Sequence, residues 1–351
     1  MQKKKVVLCA PTGRAAKRMS ETTGEEAKTI HRLLDIGKLE EDGKIENVDA
    51  DFAPIDADVI IIDEMSMVDV FLMNYIIKSI YIGTKLVLVG DVNQLPSVGP
   101  GSILKDIIDS EAVATVSLNH IFRQAAKSSI IVNAHNVNNG EGFRKKQDAE
   151  ENDFFYINEQ SQDKILKDVI SLCNGRLKNY GDYDFFKNIQ VLTPTKKGML
   201  GTKDLNKELQ RTLNPEDDFK KEKAYGDTVF REGDRIMQIK NNYDIFWEKE
   251  SENGTGVFNG ELGYITRIDD TNKQIKITFD DEKIAWYAFT ELEQIEHAYS
   301  ITIHKSQRKR VRCCSYVLAT SSTNATYKKL TLYRNNKSKK IINHNRGRKN
   351  N

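Results

Sequence analysis

The stretch VIIIDEMSMVD, Val59 to Asp69, runs four apolar residues straight into two adjacent carboxylates, Asp63 and Glu64. A buried strand ending in an acid pair can offer one carboxylate to a nucleotide-bound Mg²⁺ and the other to an attacking water. The bland alternative is an ordinary strand end with an acidic N-cap for the next helix. A second run, LVLVGDVNQLPSVGPG, closes at Gly90 and Asp91 and sets Gln94 in a loop, where a side-chain amide can donate to a γ-phosphate. A Gly/Pro-rich turn accounts for that segment too, but the order strand–DE, strand–GDxxQLP weakens the alternative. APTGRAAKRM places Pro11 and Thr12 after a strand and Arg14, Lys17 and Arg18 on the helix that follows. Cations at a helix N-terminus suit a phosphate backbone, although a solvated basic face looks the same. ITIHKSQ sets His304, Lys305 and Ser306 at another strand end, with His304 equally readable as structural. IFRQ holds Arg123 beside an apolar anchor, from which an arginine could reach across a cleft to a γ-phosphate.

The elements that must carry these residues follow from hydrophobic pattern. KVVLCAP, ADVIIIDE and TKLVLVGD are continuous Val/Ile/Leu runs, the mark of parallel strands covered on both faces. VFLMNYIIKSI between the last two has helical length and spacing, and GRAAKRMSETTG is a helix stopped by Gly24. Polar residues cluster at the carboxyl ends of the strands, where open α/β sheets bind ligands. Residues 35–57 read as a polar surface excursion. A second α/β segment starts near Ser117, with DKILKDVISLCNGRL as a helix and NIQVLTPT as a strand. From Gly226 the pattern turns to short alternating runs separated by Gly, Asp and Asn, which predicts a small antiparallel barrel. HAYSITIHKSQ then returns to a core strand, so the barrel reads as an insertion. Of its aromatics, Phe246, Trp247, Trp286 and Tyr287, a core role is the expectation and stacking faces the alternative.

Bulk properties are compatible with this plan. A chain of 351 residues with 39% hydrophobic and 30% charged content is that of a soluble globular protein of two or three domains. No apolar run approaches a membrane span. Cys9, Cys173, Cys313 and Cys314 lack metal-ligand spacing, so free thiols in a reducing cytoplasm are expected. Arg308 to Asn351 hold thirteen Lys and Arg and no Asp or Glu, leaving 40 basic and 51 acidic residues in 1–307.

Taken in order, these segments resemble the RecD-like DNA helicases of superfamily 1, from about Lys5 to Gln307. The resemblance rests on APTGRAAKRM with TIHRLL, IIIDEMSMVD, LVLVGDVNQLPSVGPG, IFRQ, VLTPTKKGMLGTKDLN, and VFNGELGYI followed by HAYSITIHKSQ. It implies an α/β fold with two RecA-like P-loop NTPase-type parallel sheets, both incomplete, and an inserted SH3-type β-barrel. The implied domains are 1–116, 117–225, 226–296 (the barrel) and a return strand at 297–307; the tail at 308–351, basic and without acids or apolar periodicity, is expected to be disordered. It implies ATP and Mg²⁺ as cofactors, single-stranded DNA as partner, and 5′-to-3′ movement. Asp63 and Glu64 would be the magnesium and water residues, Gln94 the γ-phosphate sensor and Arg123 the trans-acting arginine. Pro11, Thr12, Arg14, His31, His304, Lys305 and Ser306 would contact DNA.

Two departures qualify the expected activity. The 351 residues contain no GxxxxGK[ST] phosphate loop, which the family carries before the APTGRAA segment; GEEAKT, Gly24 to Thr29, lacks the second glycine and brings two acids. After Gln307 the family's apolar strand and its final arginine motif are missing. Possible codons for Arg308–Val317, reread one base later, give GSEFDAVVM, and the same shift over Thr331–Lys340 gives LYTGITRAK. A one-base insertion near codon 308 would account for both, and for the basic tail. The expectation is a helicase fragment without ATP turnover, the alternatives being a non-motor DNA-binding remnant or a non-functional product.

Overall fold

The structure is a computed structural model that describes residues 4–36, 54–118, 128–142, 153–159, 161–181, 183–250, 252–306, 313–318 and 339–344. The chain divides into two units, Met1–His120 and Ile121–Asn351, against a boundary at 116/117 expected from sequence. Most of the acidic excursion at 35–57 lies outside the described residues, as does Arg123.

The first unit is a parallel sheet built from the apolar runs. Its strands are β1 (Val6–Ala10), β2 (Ala27–Thr29), β3 (Val59–Ile62) and β4 (Lys85–Leu88), in the order β2-β1-β3-β4. Cys9 stands beside Ile62 and Ile62 beside Leu88, so three strands end flush. Among the described residues, four helices flank them: α1 (Gly13–Thr23), α2 (Ile30–Leu33), α3 (Val70–Lys78) and α4 (Ile103–Asp109). α1 buries Ala15 and Ala16, small enough for close approach to the sheet, and ends where Gly24 takes a left-handed φ of 75° and donates to Ser20. Ile60, Ile62, Met65, Leu72 and Ile76 form the core between sheet and helices.

The second unit holds a second parallel sheet and the insertion. α5 (Ser129–Asn138), β5 (Phe154–Asn158), α6 (Gln162–Ser171), β6 (Ile189–Thr193) and α7 (Thr202–Leu213) come first. All five residues of β6 are buried, as a central strand requires. A hairpin, β7 (Glu222–Tyr225) and β8 (Thr228–Arg231), leads into the insertion. Its seven strands are β9 (Arg235–Gln238), β10 (Asn242–Lys249), β11 (Glu252–Val257), β12 (Leu262–Asp269), β13 (Gln274–Phe279), β14 (Ile284–Ala288) and β15 (Ile295–His297). They form an antiparallel sheet in the order β11-β10-β14-β13-β12-β9-β15, around a core that includes Ile265, Ile275, Ile277 and Tyr287. The next strand, β16 (Ser300–Thr302), pairs parallel with β6, so the chain does return to the α/β sheet after the insertion.

The expectation of a tail without regular structure is corrected at two places. β17 (Cys313–Leu318) and β18 (Lys339–His344) complete a five-stranded parallel sheet in the order β16-β6-β17-β18-β5. The basic residue count concealed CCSYVL, a run short of charge and rich in strand-forming residues. The fit is imperfect: Ser315 is fully buried between β6 and β18, and its hydroxyl has no hydrogen-bond partner among the described residues.

Candidate functional site

In the first unit the site is set by the flush carboxyl ends of β1, β3 and β4. Asp63 follows β3 directly, and its N–H donates to the Cys9 carbonyl at 3.0 Å, which extends the ladder by one residue. Its Oδ1 accepts the N–H of Glu64 at 2.8 Å, and Oδ2 has no hydrogen-bond partner among the described residues. Glu64 then takes a left-handed backbone, φ 58° and ψ 43°, which costs an L-residue about 1–2 kcal/mol. Such strain at a strand end is what a position kept for its side chain would show. Both acids are half-buried.

The turn is locked to its neighbour. Met65 N–H donates to the carbonyl of Val89 at 2.9 Å, and Val89 N–H to Ile62 at 2.8 Å. A side chain at Gly90 would stand 2.7 Å from Leu104 Cδ2 and 3.0 Å from the Met65 nitrogen. Only glycine lets the β4 end lie this close to the acid-pair turn.

Gln94 closes a turn in which its N–H donates to the Asp91 carbonyl at 3.1 Å. Its side-chain amide reaches Asp91 Oδ2 at 3.5 Å, a weak contact that leaves it easily redirected. Asp91 Oδ1 accepts the N–H of Asn93 at 2.9 Å. The helix cap that the bland alternative assigned to the acid pair belongs to Asp69, whose Oδ1 accepts Leu72 N–H at 2.8 Å. Gly99 packs on that same carboxylate: a Cβ there would lie 1.9 Å from Asp69 Oδ2. The sequence marks Gly90 and Asp91 only as the close of a strand and leaves Asp69 without a role. An Asp just ahead of an apolar helical run was the available sign for Asp69.

Pro11 and Thr12 follow β1, with Thr12 at the N-cap of α1 and its carbonyl accepting Ala16 N–H at 3.0 Å. Arg14 lies in the first turn of α1, which carries no acid. His31 is exposed on α2, whose N-cap Thr29 accepts Arg32 N–H at 3.1 Å. These residues share the carboxyl-end rim with Asp63, Glu64 and Gln94. His304, Lys305 and Ser306 form a single 3-10 turn after β16 in the second unit. There His304 is exposed, Lys305 pairs with Glu296, and the buried Ser306 hydroxyl donates to Ile303 at 2.7 Å. Ser306 is thereby spent on the turn, and His304 is the residue most open to a ligand.

Comparisons with known proteins fit this arrangement. An AAA domain family matches residues 1–160, and the SH3 domain family of ATP-dependent RecD-like DNA helicases matches residues 205–279. The chain is 33% identical over 302 residues to an ATP-dependent RecD2 DNA helicase of Deinococcus radiodurans, covering 86% of this chain and 37% of that one. It is 28% identical over 382 residues to a RecBCD enzyme subunit RecD of Buchnera aphidicola, covering 90% and 61%. A Pif1 helicase structure from Bacteroides shares the fold, with a TM-score of 0.50 at 17% identity over 98% of this chain and 83% of that one. The α/β architecture with an SH3-like insertion, the strand-end acid pair and these matches together make the chain a member of the RecD-like helicase family. It spans between about a third and three-fifths of the length of these two curated relatives.

Proposed function

We propose that the chain works as part of an ATP-dependent DNA helicase that moves 5′ to 3′ along single-stranded DNA in recombination or repair in the cytoplasm. The observation that carries this is the hydrogen bond from Met65 to Val89, which ties the acid pair to the strand that leads to Gln94. The Deinococcus relative is named an ATP-dependent helicase, and the Bacteroides structure holds ADP-AlF3 and single-stranded DNA. Asp63 suits Mg²⁺: it is a half-buried carboxylate at a strand end with one oxygen uncommitted, and Mg²⁺ takes one or two such oxygens alongside phosphates and water. When bound, the ion would neutralise charge on the β- and γ-phosphates. Glu64 then orients water, Gln94 reports on the γ-phosphate and Arg123 is the candidate trans-acting arginine. Pro11, Thr12, Arg14 and His31 take one stretch of the strand, and His304 and Lys305 another, with the buried Ser306 holding the turn that presents them.

These 351 residues alone do not turn over ATP, because no GxxxxGK[ST] run among them can cradle the phosphates. The hydroxyl of Ser315, buried without a partner among the described residues where a core strand favours an apolar residue, supports an altered reading frame after Gln307. DNA-stimulated phosphate release from the purified chain is expected to equal that of a Glu64→Gln control. Release well above the control would overturn the inactivity. An absence of salt-dependent binding to single-stranded DNA would overturn the wider reading.

A further inference from the structure

The insertion carries its aromatics in two ways. Tyr287 is fully buried and its hydroxyl donates to Gln238, and Trp247 lies half-buried over Gly254. Phe246 and Trp286, by contrast, are 52% and 39% exposed. The alternation of β10 and β14 explains the split: Ile245, Ala285 and Tyr287 point into the core, so Phe246 and Trp286 stand on the outer face. Trp247 pairs with Ala285 in the antiparallel ladder, and Phe246 and Trp286 are the next residue of each strand beyond that pair. Trp286 is in turn paired with Lys276, and Lys276 with Arg267. Four strands thus place Phe246, Trp286, Lys276 and Arg267 in one row across the sheet, roughly 14 Å long at the usual strand spacing.

The charges along this row are available. Neither Lys276 nor Arg267 forms an ion pair among the described residues; Lys276 Nζ instead lies 5.8 Å from the Trp286 ring centre. Asp269, two residues from Arg267, turns its carboxylate into its own turn, accepting from Thr271 and twice from Asn272. Other acids of the insertion are paired elsewhere, Asp280 with Arg235, Glu261 with Lys283 and Glu293 with Lys240. Asp244 and Glu248 flank Phe246 along β10, which confines anionic groups to the Lys276–Arg267 end.

Two adjacent flat rings followed by two unpaired cations match one chemistry, a polyanion whose rings are unstacked from any partner strand. We propose that this outer face binds single-stranded nucleic acid, with Phe246 and Trp286 stacking successive bases and Lys276 and Arg267 holding the adjoining phosphates. This is a contact separate from the strand-end residues, and it rests on the single-strand reading above.

The test is fluorescence anisotropy of a labelled thymidine oligonucleotide titrated with the full chain across a salt series. The paired change Phe246→Ala and Trp286→Ala is expected to lower affinity about tenfold or more, with little change in salt slope. Lys276→Ala and Arg267→Ala are each expected to reduce the slope of log affinity against log salt by roughly 0.7. The chain has two tryptophans, so Trp247→Phe leaves Trp286 as sole reporter, and the oligonucleotide is expected to quench it. This readout does not depend on the alanine variants folding. Unchanged affinity in the paired variant, absent quenching, or equal binding of a blunt duplex overturns the proposal while leaving the strand-end reading in place. Failure of the wild-type chain to bind any oligonucleotide overturns both.

Discussion

Two carboxylate settings in this molecule could hardly differ more. Asp63 and Glu64 sit half-buried on a strained turn, where one Asp63 oxygen has no partner among the described residues. Asp234, at the start of the insertion, is fully buried and accepts five hydrogen bonds. Oδ2 takes Arg231 N–H at 2.7 Å, Gln210 Nε2 at 2.7 Å and His297 Nε2 at 3.0 Å. Oδ1 takes Asn214 Nδ2 and the Tyr299 hydroxyl, both at 2.7 Å. Those donors come from α7 and its C-cap, the end of β8, β15 and the segment after it, so one side chain ties the insertion to the α/β part of its own unit. The structural carboxylate is saturated with donors; Asp63 is not, and the turn that holds it carries its backbone strain at the next residue, Glu64.

The largest test of that contrast is Asp234→Ala. It leaves several buried donors without an acceptor and is expected to destabilise the second unit by about 3–5 kcal/mol, read as a fall in the urea midpoint. Asp63→Asn, which keeps the shape of a half-buried residue with one uncommitted oxygen, is expected to stay within about 0.5 kcal/mol of the parent. Equal losses in the two variants would erase the distinction.

How much of this was legible in the sequence follows from what each feature is made of. β1, β3 and β4 are apolar runs, and the insertion is alternation broken by Gly, Asp and Asn, so local pattern sufficed. The acid pair announced itself because Asp63 and Glu64 abut Val59–Ile62. β2 did not, since Ala27–Thr29 is too short and polar to show a period. The Asp234 cluster was hidden because its donors lie between residues 210 and 299, and no local rule joins them. Phe246 and Trp286 were visible as aromatics, but their facing required the register. β17 was missed because the tail was judged by its charge. The strain at Glu64 is a backbone angle, which no residue type reveals.

That strain gives the second, smaller test. Glu64→Gly removes the left-handed penalty and is expected to raise stability by up to about 1 kcal/mol, the gain being trimmed by glycine's entropy when unfolded. Glu64→Gln leaves the backbone cost in place and is expected to change the midpoint little. If glycine destabilises the first unit instead, the turn is comfortable as it stands and the strain argument for a kept side chain falls.

The gentlest probe uses pH to ask whether the two units differ in their buried protons. In the first unit, burial pushes the Cys9 thiol up from 9.0 to about 12. In the second, burial raises Tyr264 from 10.0 to about 12, and burial followed by neighbouring carboxylates raises Tyr287 and Tyr299 further. All four are neutral when protonated, so the folded chain holds these protons more tightly than the unfolded one. Their contribution is therefore complete below the unfolded values and is lost as pH rises, from about 9 upward in the first unit and about 10 upward in the second. Urea midpoints should hold steady to about pH 8 and fall from there to pH 12. Cys9→Ala should delay the onset to the tyrosine window, whereas Tyr264→Phe should leave the onset unchanged and soften the later loss. An onset that ignores Cys9 would mean that the strand beneath the acid pair opens to solvent before the rest of the first unit unfolds, and the locked turn would then be less rigid than its hydrogen bonds imply.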